Sequence, residues 1–449
     1  MKKNIIKRID ILLMLMAGTV ALFAQEFGFG EEETITGKNS NLAIQIGGEL
    51  AIEGTRFVHE SLSDQTFSDF VVPRLSVTAQ GNKTEARIKL KLAPTILTTY
   101  PDQIIDEALL RIYVGLFTLD GGLIKVSWGK ADSQGPLDVI NPLKLDDLTI
   151  TDTMEQKIAR PLLRGTFAFG SFSKIEGIFI PWFEGNRLAL DTTKDRWMPA
   201  QIEKLLTLTD SDGLKNKFLE VHDEMATLEH FQAGVRFTTT TGPVDWGLQY
   251  FYGYLLNPAA EVSLTGTFPN LTPSLARITY NRYHQAAFDG AMVIQGFNVR
   301  WEGAANITED TKGDDPFVYN PALAYSIGFD RDLFWAINLN LQYNGSYRLF
   351  DDKVGTSFLK IDIEQDTDAF TSQITARLSQ NLFNDTLKWE GTLLWGLQNE
   401  DYLFIPSLTW VQGDAELSVK AGIFGGNSSG QLGQFDDNDY VSVQLKYVF

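Results

Sequence analysis

The 449-residue chain has no cysteine, which excludes a disulfide framework and every thiolate metal site. Histidine is scarce: His59, His222, His230 and His284 lie apart, and none completes an HExxH or paired-ligand spacing. Positive charge is short as well. The formal net charge is −19 and the pI near 4.7, which argues against nucleic acid or an anionic membrane surface as the main partner. Beyond the N-terminal run, no stretch is apolar for long enough to make a helical membrane span. Overall greasiness is missing too, with a mean hydropathy of −0.10. Strict alternation of apolar and polar residues, however, averages to near zero and hides inside such a value.

What is there begins with a leader. Lys2, Lys3, Lys7 and Arg8 precede ILLMLMAGTVALFA. Residues 1–24 therefore read as a secretory signal peptide cut after Ala24, although Leu22 stands where a smaller residue is usual. Residues 25–41 read as a periplasmic tail. Its stretch EEETITG (31–37) faintly resembles the energy-coupling box of siderophore-type transporters. Those need a large plug domain before the barrel, and here strands begin almost at once, so the stretch reads as a solvated tail.

From there on, segments of alternating residues recur: 42–53, 71–80, 84–94, 107–117, 123–130, 162–170, 174–183, 229–240, 243–254, 282–293, 297–307, 318–329, 334–346, 369–379, 386–397, 402–411, 415–424 and 440–449. The even segments are followed by tight signals: GNK, TLDGG, SFS, TG, RDL and QGD. The odd ones are followed by long, polar, acidic stretches at 54–70, 131–161, 184–228, 255–281 and 347–368, with 399–401 the short exception. A soluble sandwich has no reason to sort loop length by parity. The pattern predicts an all-β protein over 42–449, a transmembrane antiparallel β-barrel of about 16–18 strands with short periplasmic turns and long outer loops.

The faces agree with that. In 84–92, Ala86, Ile88, Leu90 and Leu92 alternate with Arg87, Lys89 and Lys91; in 123–129, Ile124, Val126 and Trp128 alternate with Lys125 and Ser127. In 386–396, Leu387, Trp389, Leu393 and Trp395 share a face with Gly391. Tyr113, Trp182, Trp246, Tyr250, Trp335, Trp410 and Tyr447 near strand ends suit interfacial girdles. The segment YVSVQLKYVF (440–449) puts Val441, Val443, Leu445, Tyr447 and Phe449 on one face. It resembles the closing strand of bacterial outer-membrane barrels, which implies recognition by the barrel-assembly machinery. Outer-membrane lipid is the other expected partner.

One loop region is helical in pattern. Within 199–231, Leu214, Phe218, Val221, Met225 and Leu228 form a single apolar stripe, which fits a lid, an in-folded plug, or a helix resting on the barrel mouth.

The segment 126–165 is the third outer loop of this topology. Its Trp128, Gly129, the run LDVINP (137–142), Asp146 and Asp147 resemble a family of bacterial outer-membrane barrels of unassigned function, related to alginate-export-type and hydrophobic-compound porins. The resemblance implies an outer-membrane location and a channel-like role. In general porins, which the topology also resembles, the third loop folds into the lumen. Here 131–161 carries Asp132, Asp138, Asn141, Asp146, Asp147, Asp152 and Glu155 against Lys144, Lys157 and Arg160. The inward face of strands two to five is expected to hold Arg74, Arg87, Lys89, Lys91, Arg111 and Lys125. A basic wall facing an acidic loop would set a transverse field across a constriction. The plainer alternative is that these cations pair with their neighbours.

Nothing asks for a cofactor or a metal. The acidic runs EDTKGDDP (309–316) and DDND (436–439) lack EF-type spacing and read as solvated loops. An enzyme is not expected, since His284 has no serine partner on its own face. The expectation is a porin passing small solutes, with a selective route for hydrophobic compounds or a surface adhesin as the rivals.

Overall fold

The computed structural model describes residues 35–36, 42–60, 69–191, 196–267, 270–356 and 362–449. The expected signal peptide and nearly all of the tail at 25–41 lie outside the described residues. In chain order the strands are β1 Ala43–Phe57, β2 Val71–Gln80, β3 Thr84–Lys91, β4 Ile105–Val114, β5 Phe117–Ile124, β6 Arg160–Phe169, β7 Ser173–Ile180, β8 Gln232–Thr241, β9 Val244–Tyr254, β10 Ala259–Thr267 and β11 Asn270–Thr279. There follow β12 Arg282–Ile294, β13 Phe297–Thr308, β14 Ala322–Asp332, β15 Asn338–Arg348, β16 Phe370–Leu382, β17 Leu387–Gly396, β18 Asp401–Gln412, β19 Ala415–Gly425 and β20 Tyr440–Val448. β10 and β11 pair only with each other; the other eighteen form one antiparallel ring that closes where β1 pairs with β20.

Closure follows from the solvent. In hydrocarbon no water satisfies a free N–H or C=O, so a spanning sheet cannot keep an edge. β1 shows how the sequence writes the two faces: Ile46, Leu50 and Ile52 are exposed on the outside, while Gln45, Glu49 and Glu53 alternate with them. On β9 the outward Leu248 is 52% exposed, and its neighbour Gln249 is buried inside. Among the described residues no helix is long and apolar enough to cross a membrane, so the crossing is done by strands.

Parity of loop length holds at every connection but 397–400. One rim carries the tight turns 81–83, 115–116, 170–172, 242–243, 295–296, 333–337, 383–386 and 413–414; the other carries the long loops and the short 397–400. Near the tight-turn rim, Phe117, Phe167, Phe169, Phe237 and Trp246 make a row of touching rings on the outer wall, with successive centroids 4.5, 5.5, 6.2 and 5.5 Å apart. Trp335 projects from the 333–337 turn, 84% exposed. These are the amphipathic rings expected at a headgroup boundary.

Two expectations need correction. TLDGG is not a turn: it runs through the middle of β5, and the chain reverses at 115–116. Gly122 is mid-strand with φ +142, lying so close to the Ala108 carbonyl that a side chain would collide with it. The alternation over 123–130 is not a strand beyond Ile124. Val126 and Trp128 turn inward and are buried within the lumen. The hairpin β10–β11, read from sequence as plain loop, is a third difference.

Candidate functional site

The lumen is partly filled by the loop 125–159. Its root is built like a small protein core. Val126, Trp128 and Ile140 pack against the inner faces of β4 to β9 and β12, on Leu109, Ile124, Leu162, Ile178, Ile180, Phe251 and Tyr283. Asn141 pins the two ends of the loop together. Its Nδ2 donates to the carbonyls of Ile124 (3.0 Å) and Ile158 (2.9 Å), and its Oδ1 accepts from the Val126 amide (2.7 Å). Trp128 donates its indole N–H to Glu176 of β7. Arg160, at the head of β6 and fully buried, donates to the carbonyls of Ile140 (2.9 Å) and Trp182 (3.3 Å). Lys157 bonds Asp138 (2.6 Å), and burial pushes the Asp138 carboxyl up against the opposing pull of that ammonium.

From this root the loop reaches two walls. Its first part meets β13 and β15. Asp132 pairs with Arg300 and accepts from Asn340 (2.8 Å), and the Asp132 and Ser133 amides donate to Gln342 (2.9 and 3.0 Å). The later part meets the seam side of the ring. Asp152 caps the short helix α2 Thr153–Gln156, which follows α1 Pro94–Thr98 of the preceding outer loop, by accepting from the Met154 and Glu155 amides at 2.9 Å. Glu155 then faces Arg74 of β2 (3.4 Å) and Lys91 of β3 (3.8 Å), and Lys420 of β19 donates to the Thr149 carbonyl (2.6 Å).

The cations of the wall are mostly matched where they stand. Arg74 also pairs with Glu49, Lys89 bonds Glu107 (2.6 Å), Arg111 bonds Asp120 (2.7 Å), and Lys125 bonds Asp106 (2.8 Å). Arg87 makes no ion pair among the described residues, and its Nε is buried without a partner. Lys125 differs from the expectation of a water-lining group: it is enclosed beneath the loop. Asp146 turns outward to Arg187 (2.7 Å) and Tyr100 (2.9 Å), and Asp147 accepts from the Thr149 amide and hydroxyl (3.0 and 2.6 Å). Among the described residues, only Arg74 and Lys91 of the six expected cations meet a loop carboxylate, Glu155. Beside them Lys144 is buried, and burial, then Lys125 and Lys91, push its ammonium down to about 8.

Sequence reasoning missed the partners on the far wall: Gln249, Gln285, Arg300, Glu302, Asn340 and Gln342. A row of amides at inward positions of β9, β12 and β15 was the available signal, since a wet lumen alone does not ask for it.

At the mouth, residues 181–191 and 196–231 lie over the loop. Arg187 bridges to Lys144, and Ala189 and Trp197 pack on Leu403, Ile405, Phe424 and Tyr440 of β18 to β20. After α3 Ala200–Leu205, helix α4 Ser211–Met225 buries Leu214, Val221 and Met225 against Tyr254 and the β10–β11 hairpin, while Leu228 stays 68% exposed.

No protein-family model and no curated protein matches the sequence. Among solved structures the chain is similar to Pseudomonas aeruginosa OccK3 (OpdO), with a TM-score of 0.49 and 9% identity, covering 92% of this chain and 96% of that one. It is similar to Wzi, a carbohydrate-binding β-barrel involved in group 1 capsule assembly in Escherichia coli, at 0.45 and 11%, covering 91% and 85%. It is also similar to the outer membrane channel DcaP of Acinetobacter baumannii, at 0.44 and 9%, covering 93% and 99%. None of these likenesses says what this chain carries. The class rests on the molecule's own geometry: a closed, eighteen-strand antiparallel barrel with an apolar outer band, the architecture that spans the bacterial outer membrane.

Proposed function

We propose that the barrel is a channel through which small solutes pass passively, narrowed by the loop 125–159 with charges of both signs at the narrowing. One observation carries this reading. The loop enters the barrel and meets opposite walls, through Glu155 beside Arg74 and Lys91 and through Asp132 beside Arg300. Polar groups on both sides of a narrow, wet path screen solutes by charge and size. The kinship of the WG…LDVINP loop with alginate-export-type and hydrophobic-compound porins belongs to the same reading. Every seam of the ring is hydrogen-bonded, which favours an axial path over a sideways exit for apolar compounds. Catalysis is no part of the proposal: His284 lies on the lipid face, with its Nδ1 2.6 Å from the Tyr250 hydroxyl. The outward row Val441, Val443, Leu445, Tyr447 and Phe449 is assigned to recognition by the assembly machinery.

The test is ion selectivity in planar bilayers. Reversing Arg87, Lys89 and Lys91 to glutamate is expected to move the reversal potential toward cations and to change conductance. Unchanged selectivity together with unchanged conductance would defeat the charged narrowing.

A further inference from the structure

Glu302 is the odd group of the lumen. It stands on the inward face of β13, only 3% exposed, and among the described residues no cation lies within ion-pairing distance of it. Its strand neighbour across the ladder is Asp289, whose own charge is matched by Arg236 at 2.6 Å. Taking a lone carboxylate out of water costs several kcal/mol unless something replaces the lost hydration.

The replacement here is the loop's backbone. Oε1 of Glu302 accepts from the amides of Lys130 and Ala131, the latter at 2.7 Å, and Oε2 accepts from the Leu137 amide at 3.4 Å. The two glycines of this turn lie against the same carboxylate, so that a Cβ on Gly129 or Gly135 would overlap its oxygens. Other polar ties hold the turn beside it: Gln285 donates to the Pro136 carbonyl (3.0 Å), Gln249 to that of Leu137 (3.1 Å), and Asp132 and Ser133 reach Arg300, Asn340 and Gln342. The apolar contact of the turn is confined to Leu137 on Ala287 and Ala304. The charge and the turn therefore depend on each other. Without the turn, Glu302 has no stabilising partner; without Glu302, three loop amides have no acceptor.

We propose that Glu302 is the latch that fixes the turn 129–137 across the lumen, a positioning residue that sets the width of the path and touches no solute. The consequence for width rests on the channel reading; the latch itself does not.

The absence of cysteine provides a clean probe. Among the described residues the Ser133 hydroxyl is buried without a partner, so Ser133→Cys removes no bond seen there and places a single thiol on the turn. In the full chain, folded in its membrane, the measurements are the thiol-labelling rate, the single-channel conductance and the heat-modified gel shift that reports a closed barrel. Glu302→Ala removes the acceptors; Gly135→Ala pushes the turn off from the other side. Both are expected to raise labelling severalfold and to widen conductance, with the gel shift kept. Glu302→Gln retains a carbonyl acceptor and should stay near the parent. Parent-like labelling in both Glu302→Ala and Gly135→Ala overturns the latch, as does Glu302→Gln labelling as fast as Glu302→Ala. If the parent passes no ions while labelling follows the expected order, the channel reading falls and the latch stands.

Discussion

The two sides of the lumen are built on different principles. From β4 to β9, with β12, the inner face of the wall is apolar where the loop root sits, and it is dry: Leu109, Leu162, Ile178, Phe251 and Tyr283 are buried under Trp128 and Ile140. From β14 round to β3 the inner face is polar apart from the group Leu403, Ile405, Phe424 and Tyr440 that carries Ala189 and Trp197 at the mouth, with Ser326, Asn340, Gln444, Glu53 and Arg74 in place of the loop-root groups. A barrel of this size has more interior than a path requires. One wall has become a foundation for a loop, and the other has stayed a lining.

The sharpest way to break this comparison is to cut both walls. Trp128→Ala should cost about 3–5 kcal/mol, the range for emptying a large buried aromatic site. Thr409→Ala on the lining, which loses one 3.0 Å hydroxyl contact with Ser418, should stay within about 0.5 kcal/mol. Urea unfolding in liposomes reads both; equal losses would mean that the foundation is no foundation. Next comes charge on the two faces. Leu248→Arg puts a guanidinium into lipid and should cost about 2–4 kcal/mol, whereas Thr409→Arg, on the lumen face of β18, should cost less. A smaller effect is expected for Asn141→Ala. It strands a buried amide and two carbonyls at the loop root, for about 1–3 kcal/mol, and hydrogen exchange at Val126 should rise first. The smallest is a pH slope. With its ammonium depressed to about 8, Lys144 holds fewer protons folded than unfolded between that value and the ordinary 10.5. Stability should therefore climb modestly with pH across that window, with the cost fully present below about 8. Lys144→Met should flatten the slope; a slope that survives the substitution assigns it to another group.

The lining and the lipid face were legible because both are written as period-two alternation, and the rims because tight turns and long loops alternate by parity. The foundation was not. Val126 and Trp128 carry the same alternation as a strand, and only the packing partners contributed by β7, β9 and β12 turn them inward. Gly121 and Gly122 look like a turn in sequence, yet both are mid-strand, and Gly122 answers to a close approach of the Ala108 carbonyl that no local pattern reveals. The far-wall partners of the loop, Glu302 and Gln342, are separated from it by about 170 to 210 positions, from Ala131 to Glu302 and from Asp132 to Gln342, and no spacing rule spans that distance.

The seam between β1 and β20 has a consequence for biogenesis. Glu53 and Gln444 bond at 2.7 Å across 391 positions of chain. A polypeptide delivered from its N-terminal side carries β1 with one naked flank until every other stave has arrived. Such a flank invites adventitious pairing, and uniting ends so far apart forfeits much chain freedom. The cylinder is thus sealed only when its last stave is in place, and until then the waiting flank is a bare sheet edge.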